Sequence, residues 1–365
     1  SLARAVVVAT MLGNRLRYRG IRNALQRILA CFGFPGAQGA VWNRRNAEAM
    51  SGCLSIRNFV LAFFATATVM MAGMTDSAAM GETEIEADIP NGPLRGTMLQ
   101  PEKPDAPVVL IIPGSGPTDR NGNSPLGIRA QAYHLLADAL AARGIASVRI
   151  DKRGMFGSAG KFGDANAVTL EDYASDVKSW VGAIRQRSGA GCVWLLGHSE
   201  GGLVALAAIG RIPDACGLIL VSTAGRPLGD VLMQQLRASP ANAPLLSAAK
   251  KAIGALEGGR RVDVSDMAAP LQRIFASQVQ GFLISEISVD PAALIRPIRR
   301  PVLILQGGED IQVSVDDAKR LSKAQPTATL VILPHVNHVL KSVASDDHAA
   351  NVATYGDPEL PLAPG

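Results

Sequence analysis

Apolar residues recur along this chain with two different periods, and their alternation predicts the architecture. Residues 107–113 (PVVLIIP), 145–150, 217–222, 301–306 and 329–333 are short, branched and almost wholly apolar, which suits strands buried on both faces of a parallel sheet. Between them lie longer stretches with helical spacing. Residues 128–143 set Tyr133, Leu135, Leu136, Ala139 and Leu140 along one face and stop at Gly144. Residues 169–187 begin at Thr169, a capping residue, with Glu171 and Asp172 in the first turn where they complement the helix dipole; residues 314–324 complete the series. Strands alternating with helices at this spacing predict right-handed crossovers and a mostly parallel sheet. Ahead of them, residues 82–90 and 92–100 read as two antiparallel strands joined at Pro90-Asn91-Gly92-Pro93, a hairpin signal. The alternation breaks over residues 226–300, where Ala-, Leu- and Gln-rich helical segments are separated by Ser239-Pro240, Gly258-Gly259 and Asp290-Pro291. An insertion of that length can cap one end of the sheet.

One stretch joins the two periods most tightly. Gly197-His198-Ser199-Glu200-Gly201 lies between CVWLL and GLVALAAIG, so a strand meets a helix at Ser199. So sharp a junction leaves no room for side chains two positions to either side, a demand met by Gly197 and Gly201, and it holds the hydroxyl above the sheet beside a helix N-terminus. A serine hydroxyl near neutral pH needs a base to take its proton and a carboxylate to fix the tautomer of that base. Of the five histidines, His134 falls on a helix, His198 lies inside the elbow directed away from Ser199, and His348 sits in an acidic, polar tail. His335 and His338 share the loop after the last strand. His338, deeper in that loop and followed by an apolar pair, is the candidate base, and His335 the alternative.

For the carboxylate, Asp310 in QGGED occupies a tight turn directly after a core strand, where ligand and catalytic groups gather in such sheets. Glu309 is its rival, while Asp316 and Asp317 read as first-turn helix charges. The Gly-rich loop 114–123 exposes backbone N–H groups of the kind that stabilise an anion. Its Asp119, Arg120 and Asn121 read as holding their own loop, with substrate contact as the alternative.

Charge and leader composition narrow the partners. The net charge of +5 comes from the first 79 residues, which carry nine Arg, no Lys and only Glu48 and Asp76 as acids; the other 286 residues carry a net −2. That removes the case for a nucleic-acid partner, and 4% aromatics offers little for stacking on bases. Residues 50–79 combine Arg57, the apolar run 59–74 and the small residues Ser77-Ala78-Ala79, which together predict a secretory signal peptide, with an uncleaved anchor as the alternative. Residues 1–49 then read as an upstream extension before Met50. A periplasmic or secreted protein follows, without stable membrane association once the leader is removed. Cys192 and Cys216 each precede a predicted strand, and since side chains on parallel neighbours point the same way, two buried free thiols are expected rather than a disulfide.

Taken together, GHSEG, PGSGPTDRNGN, DKRGMFGS, QGGED and VNH resemble the α/β-hydrolase superfamily, and within it the bacterial serine esterases with a PGSGPTDR-type oxyanion loop, over about residues 82–356. The resemblance implies an α/β-hydrolase fold: a mostly parallel sheet with an N-terminal antiparallel hairpin, a core from residues 80–225 and 301–365, and a helical cap from 226–300. It further implies Ser199 as nucleophile, His338 as base, Asp310 as its orienter, and an oxyanion hole from the N–H groups of Glu200 and Ser115. Hydrolysis of short-chain carboxylic esters through an acyl-enzyme follows, with no metal and no organic cofactor. A closing helix after the histidine loop is also implied, where this chain reads Leu360-Pro-Leu-Ala-Pro-Gly365. Two other readings stay open. One is an amidase or peptidase using the same triad, with Glu286 or Arg273 contacting a peptide terminus; the other is a non-catalytic binding protein on this fold.

Overall fold

The predicted hairpin opens the fold as β1 (Gly81–Ala87) and β2 (Leu94–Gln100), turning through Asn91 and Gly92, both at positive φ. The computed structural model describes residues 81–364, apart from 103–104, 161–163, 165 and 345–346; the leader segments 1–49 and 50–79 lie outside the described residues. Then β3 (Val108–Ile112), α1 (Ala132–Ala141), β4 (Ala146–Ile150), α2 (Leu170–Ser188), β5 (Val193–His198), α3 (Glu200–Ile209) and β6 (Ala215–Val221) alternate as the periodicity predicts. Among the described residues eight strands form one sheet, in the order β1-β2-β4-β3-β5-β6-β7-β8, where β7 is Val302–Gly307 and β8 is Thr329–Leu333. Only β1 with β2 and β2 with β4 run antiparallel.

Local sequence explains the element ends. Thr169 and Asp172 form a reciprocal capping box on α2, and the helix stops at Gly189 in the left-handed region. Helix α1 begins at Ala132, four residues later than the spacing suggests, because Ser124 and Ile128 bridge and hold the preceding segment as a loop. Every residue of β3 and β4 is buried, and with Trp180 and Ile184 of α2 and Leu206 and Ile209 of α3 they make the main core. Among the described residues no helix is long and apolar enough to cross a membrane.

Residues 226–300 contain helices and no strand: α4 (Leu228–Arg237), α5 (Leu246–Glu257), α6 (Ala269–Ile274), α7 (Gln280–Glu286) and α8 (Pro291–Ile295). They build a second core from Met233, Leu236, Ile253, Leu256, Leu271, Phe275 and Ile287. The last of them departs from this layer, since Ile295 and Ile298 pack into the main core. After β7 come α9 (Val315–Ala324), β8 and a short α10 (His348–Ala353).

The cysteines overturn their expectation, because Cys192 and Cys216 form a disulfide, with Cα atoms 5.2 Å apart. The reason is a register shift in the β5·β6 ladder: Val193 faces Ala215 but Trp194 faces Gly217, which leaves Cys216 as the extra residue. A bulge of this kind re-aims its side chain, so the rule that parallel neighbours point the same way does not apply at this position.

Candidate active site

The carboxyl ends of five parallel strands converge on one region. Beyond β4 comes Lys152, beyond β3 Ser115, beyond β5 Ser199, beyond β7 Asp310 and beyond β8 His338. At the β5–α3 junction Ser199 has φ 55° and ψ −121°, a conformation that non-glycine residues rarely adopt. The crowding that enforces it is direct. A Cβ on Gly197 would lie 2.3 Å from the carbonyl oxygen of Gly201, and one on Gly201 would lie 2.2 Å from that of Ile112.

Asp310 and His338 meet. His338 Nδ1–H donates to Asp310 Oδ2 at 2.8 Å, and both side chains are buried. The other carboxylate oxygen accepts from the N–H groups of Gln312 and Val313 at 2.8 and 2.9 Å, while Gln306 Nε2 reaches Oδ2 at 3.2 Å. Burial alone would raise the pKa of Asp310, but the His338 imidazole and these N–H donors outweigh it and hold the carboxyl below its ordinary value. The pairing commits Nδ1 of His338 and leaves Nε2 for a reacting group.

Ser199 Oγ forms no hydrogen bond among the described residues, so its contact with His338 is not made directly. It is the neighbouring His198 that meets His338, through the backbone carbonyl. Gly114 N–H donates to Tyr133 Oη at 3.1 Å, the Tyr133 hydroxyl donates to His198 Nδ1 at 2.9 Å, and His198 Nε2–H donates to the His338 carbonyl at 2.8 Å. A carbonyl can only accept, which sets the tautomer of His198 and the direction of the whole chain. Burial, followed by the neighbouring His338, depresses the His198 pKa to about 3, so the ring stays neutral. Burial likewise pushes the Tyr133 phenol up, keeping it a donor.

The loop after β3 is held from several sides. Asp119 accepts from the N–H groups of Asn121 and Asn123, Arg120 pairs with Asp151 and Glu84, and Asn121 accepts from Arg149. These three residues therefore hold their own loop. Lys152, which reads in the sequence only as part of a turn, has a more specific place. Its Nζ donates to the Gly114 carbonyl at 2.8 Å and lies 3.4 Å from Glu200 Oε1. In a trans peptide C=O and N–H point opposite ways, so the bond to the Gly114 carbonyl also orients the Ser115 N–H. Among the described residues neither the Ser115 nor the Glu200 N–H is engaged by the protein.

The rival residues lie elsewhere. His335 is exposed, and Glu309 contributes backbone hydrogen bonds to Val336 and Asn351. Asp317 closes a capping box with Ser314 and pairs with Arg226, while exposed Asp316 pairs with Lys319. Arg273 is exposed on α6. A cavity of about 480 Å³ lies between core and cap, lined by Ser115, Lys152, Ser199 and Glu200 from below and by Leu228, Leu232, Phe282, Leu283 and Glu286 from above. Asp310 and His338 are not in its wall.

Residues 126–278, from α1 through most of the cap, match the family described as serine aminopeptidase, S33. A strained serine between β5 and α3, a carboxylate after β7 and a histidine after β8 occur on a sheet of this strand order. The chain has the α/β-hydrolase fold. Among curated proteins the chain is similar to esterase EstD of Thermotoga maritima, at 25% identity over 241 residues. That match takes in 65% of this chain and 55% of EstD, so the chain spans about half the length of that relative. Solved structures similar to it include Est1E from Butyrivibrio proteoclasticus, at 18% identity and TM-score 0.47, covering 74% of this chain and 94% of that one. Esterase Pf2001 of Pyrococcus furiosus matches at 16% identity and TM-score 0.47, over 70% and 82% of the two chains.

Proposed function

We propose that this α/β-hydrolase is a serine carboxylesterase acting on short-chain esters. The observation that carries the reading is the buried Asp310–His338 pair, His338 packed against His198 of the same strained elbow that holds Ser199. Ser199 Oγ attacks the ester carbonyl as His338 Nε2 takes its proton, and the negative oxygen that develops is met by the N–H groups of Ser115 and Glu200. Each such donor contributes on the order of 10² to 10³ in rate. His338 then protonates the leaving alcohol, and water repeats the sequence on the acyl-enzyme. Catalytic hydrogen bonds are commonly loose before substrate binds, and formation of a Ser199–His338 contact is part of this reading.

The test is hydrolysis of a p-nitrophenyl ester chain-length series by the full chain and by Ser199→Ala. Activity that declines with acyl length and vanishes in the variant is the expected result; undiminished turnover by Ser199→Ala excludes the assignment. The match to an aminopeptidase family favours a second reading, an amidase with the same residues, which turnover of anilides at rates near those of esters would support. A periplasmic or secreted location fits the leader sequence and also the Cys192–Cys216 disulfide, a bond that persists in oxidising compartments. Fractionation of the native host with an antibody to the chain tests it.

A further inference from the structure

One wall of the cavity carries a carboxyl that nothing in the chain answers. Glu286 ends α7, is 2% exposed, and lines the same cavity as Ser115 and Ser199. Among the described residues its side chain forms no hydrogen bond and no ion pair. The ionisable groups facing it are Glu200 on α3, Lys152 after β4 and the Tyr173 phenol on α2. Lys152 is already occupied, by Glu200 at 3.4 Å and by the Gly114 carbonyl at 2.8 Å. The side chains beside Glu286 on its own helix, Phe282 and Leu283, are apolar.

A charged Glu286 would set two carboxylates against one lysine at a largely apolar cavity wall. Burial first, and Glu200 second, push its pKa well above the ordinary value, with only Lys152 opposing. Both effects favour the protonated carboxyl, which offers one donor and one acceptor on adjacent atoms. Buried polar groups without partners are rare in native proteins, and one that faces a binding cavity is complementary to something that enters it.

We propose, resting on the esterase reading, that Glu286 is a specificity-determining residue that hydrogen-bonds an uncharged hydroxyl or carboxamide on the substrate, so that the site selects polar-ended esters over plain alkyl ones. An alkyl end in the same place leaves the acid desolvated and unpaired, and sites built around such a hydrogen bond discriminate against analogues that lack it.

The experiment uses the full chain and two ester series of matched length. One varies the acyl end of p-nitrophenyl esters among methyl, hydroxyl and ammonium; the other varies the alcohol end of butyrate esters in the same way, followed by proton release. The expected result is a kcat/KM preference for hydroxyl over methyl of at least about 10-fold in one series. Glu286→Gln, which keeps one donor and one acceptor, retains the preference, and Glu286→Leu reverses it. Each readout is a ratio within one protein preparation, so a smaller folded fraction cancels. Equal ratios in both series, a preference that survives in Glu286→Leu, or an ammonium end favoured above the others overturns the inference while leaving the esterase reading intact. Absence of turnover for every ester, or full turnover by Ser199→Ala, removes that reading and this one together.

Discussion

Acid should destabilise this protein through a histidine that forms and breaks no bond with substrate. His198 is buried and neutral, its pKa depressed from 6.5 to about 3 by burial and then by His338. As pH falls through about 6.5 the unfolded chain takes up a proton on this imidazole, whereas the folded chain does so only near 3. Between those values the unfolded state holds one more proton, so stability drops as pH drops, by about 1.4 kcal/mol per pH unit. The loss attributable to His198 is about 2 kcal/mol at pH 5 and approaches roughly 5 kcal/mol near pH 3. Glu286 acts with the opposite sign, since its raised pKa weakens the fold as pH climbs above 4.5, so the wild-type profile alone mixes the two. Urea unfolding followed by circular dichroism from pH 4.5 to 7.5, on wild type and on His198→Asn, separates them. The difference between the two free energies should slope by close to one proton below pH 6. Parallel profiles would refute the reasoning.

Three further outcomes follow from the same contacts. Asp310→Asn removes the acceptor that fixes the His338 tautomer, and kcat/KM for a p-nitrophenyl ester should fall by roughly 10³ to 10⁴. Tyr133→Phe leaves the Gly114 N–H and His198 Nδ1 buried without partners, and should cost about 2 kcal/mol or more in urea unfolding, with a loss of activity that restored stability from a ligand does not repair. Replacing both cysteines, Cys192→Ser with Cys216→Ser, opens a loop of 24 residues and should lower stability by about 3 kcal/mol, measured against the oxidised wild type.

The inner strands were legible because they are buried on both faces, and a run such as VVLII has few other uses; edge strand β8 is apolar in sequence yet only half-buried. Ser199 and the Asp310–His338 contact were legible for a related reason, as each lies one short loop beyond such a run and topology brings those loops to one end. What could not be read depends on neighbours far apart in the chain. Tyr133 looks like one more apolar residue on a helix, and its hydroxyl matters only because His198 arrives 65 residues later. Lys152 looks like turn chemistry until Gly114 and Glu200 are set beside it. The signal that could have pointed to Lys152 is its position directly after a core strand, the same argument that singled out Asp310. The disulfide was misjudged because one extra residue in a ladder leaves no mark on hydrophobic spacing, yet decides where Cys216 points.

That cross-link encloses a particular part of the molecule. Residues 192 to 216 contain β5, the strained turn, α3 and the beginning of β6, so Ser199 and the helix behind it sit inside a covalent ring. A protease that cut once within this ring would release nothing until a reductant was added. On a gel the clipped protein would run as one band without thiol and as two with it.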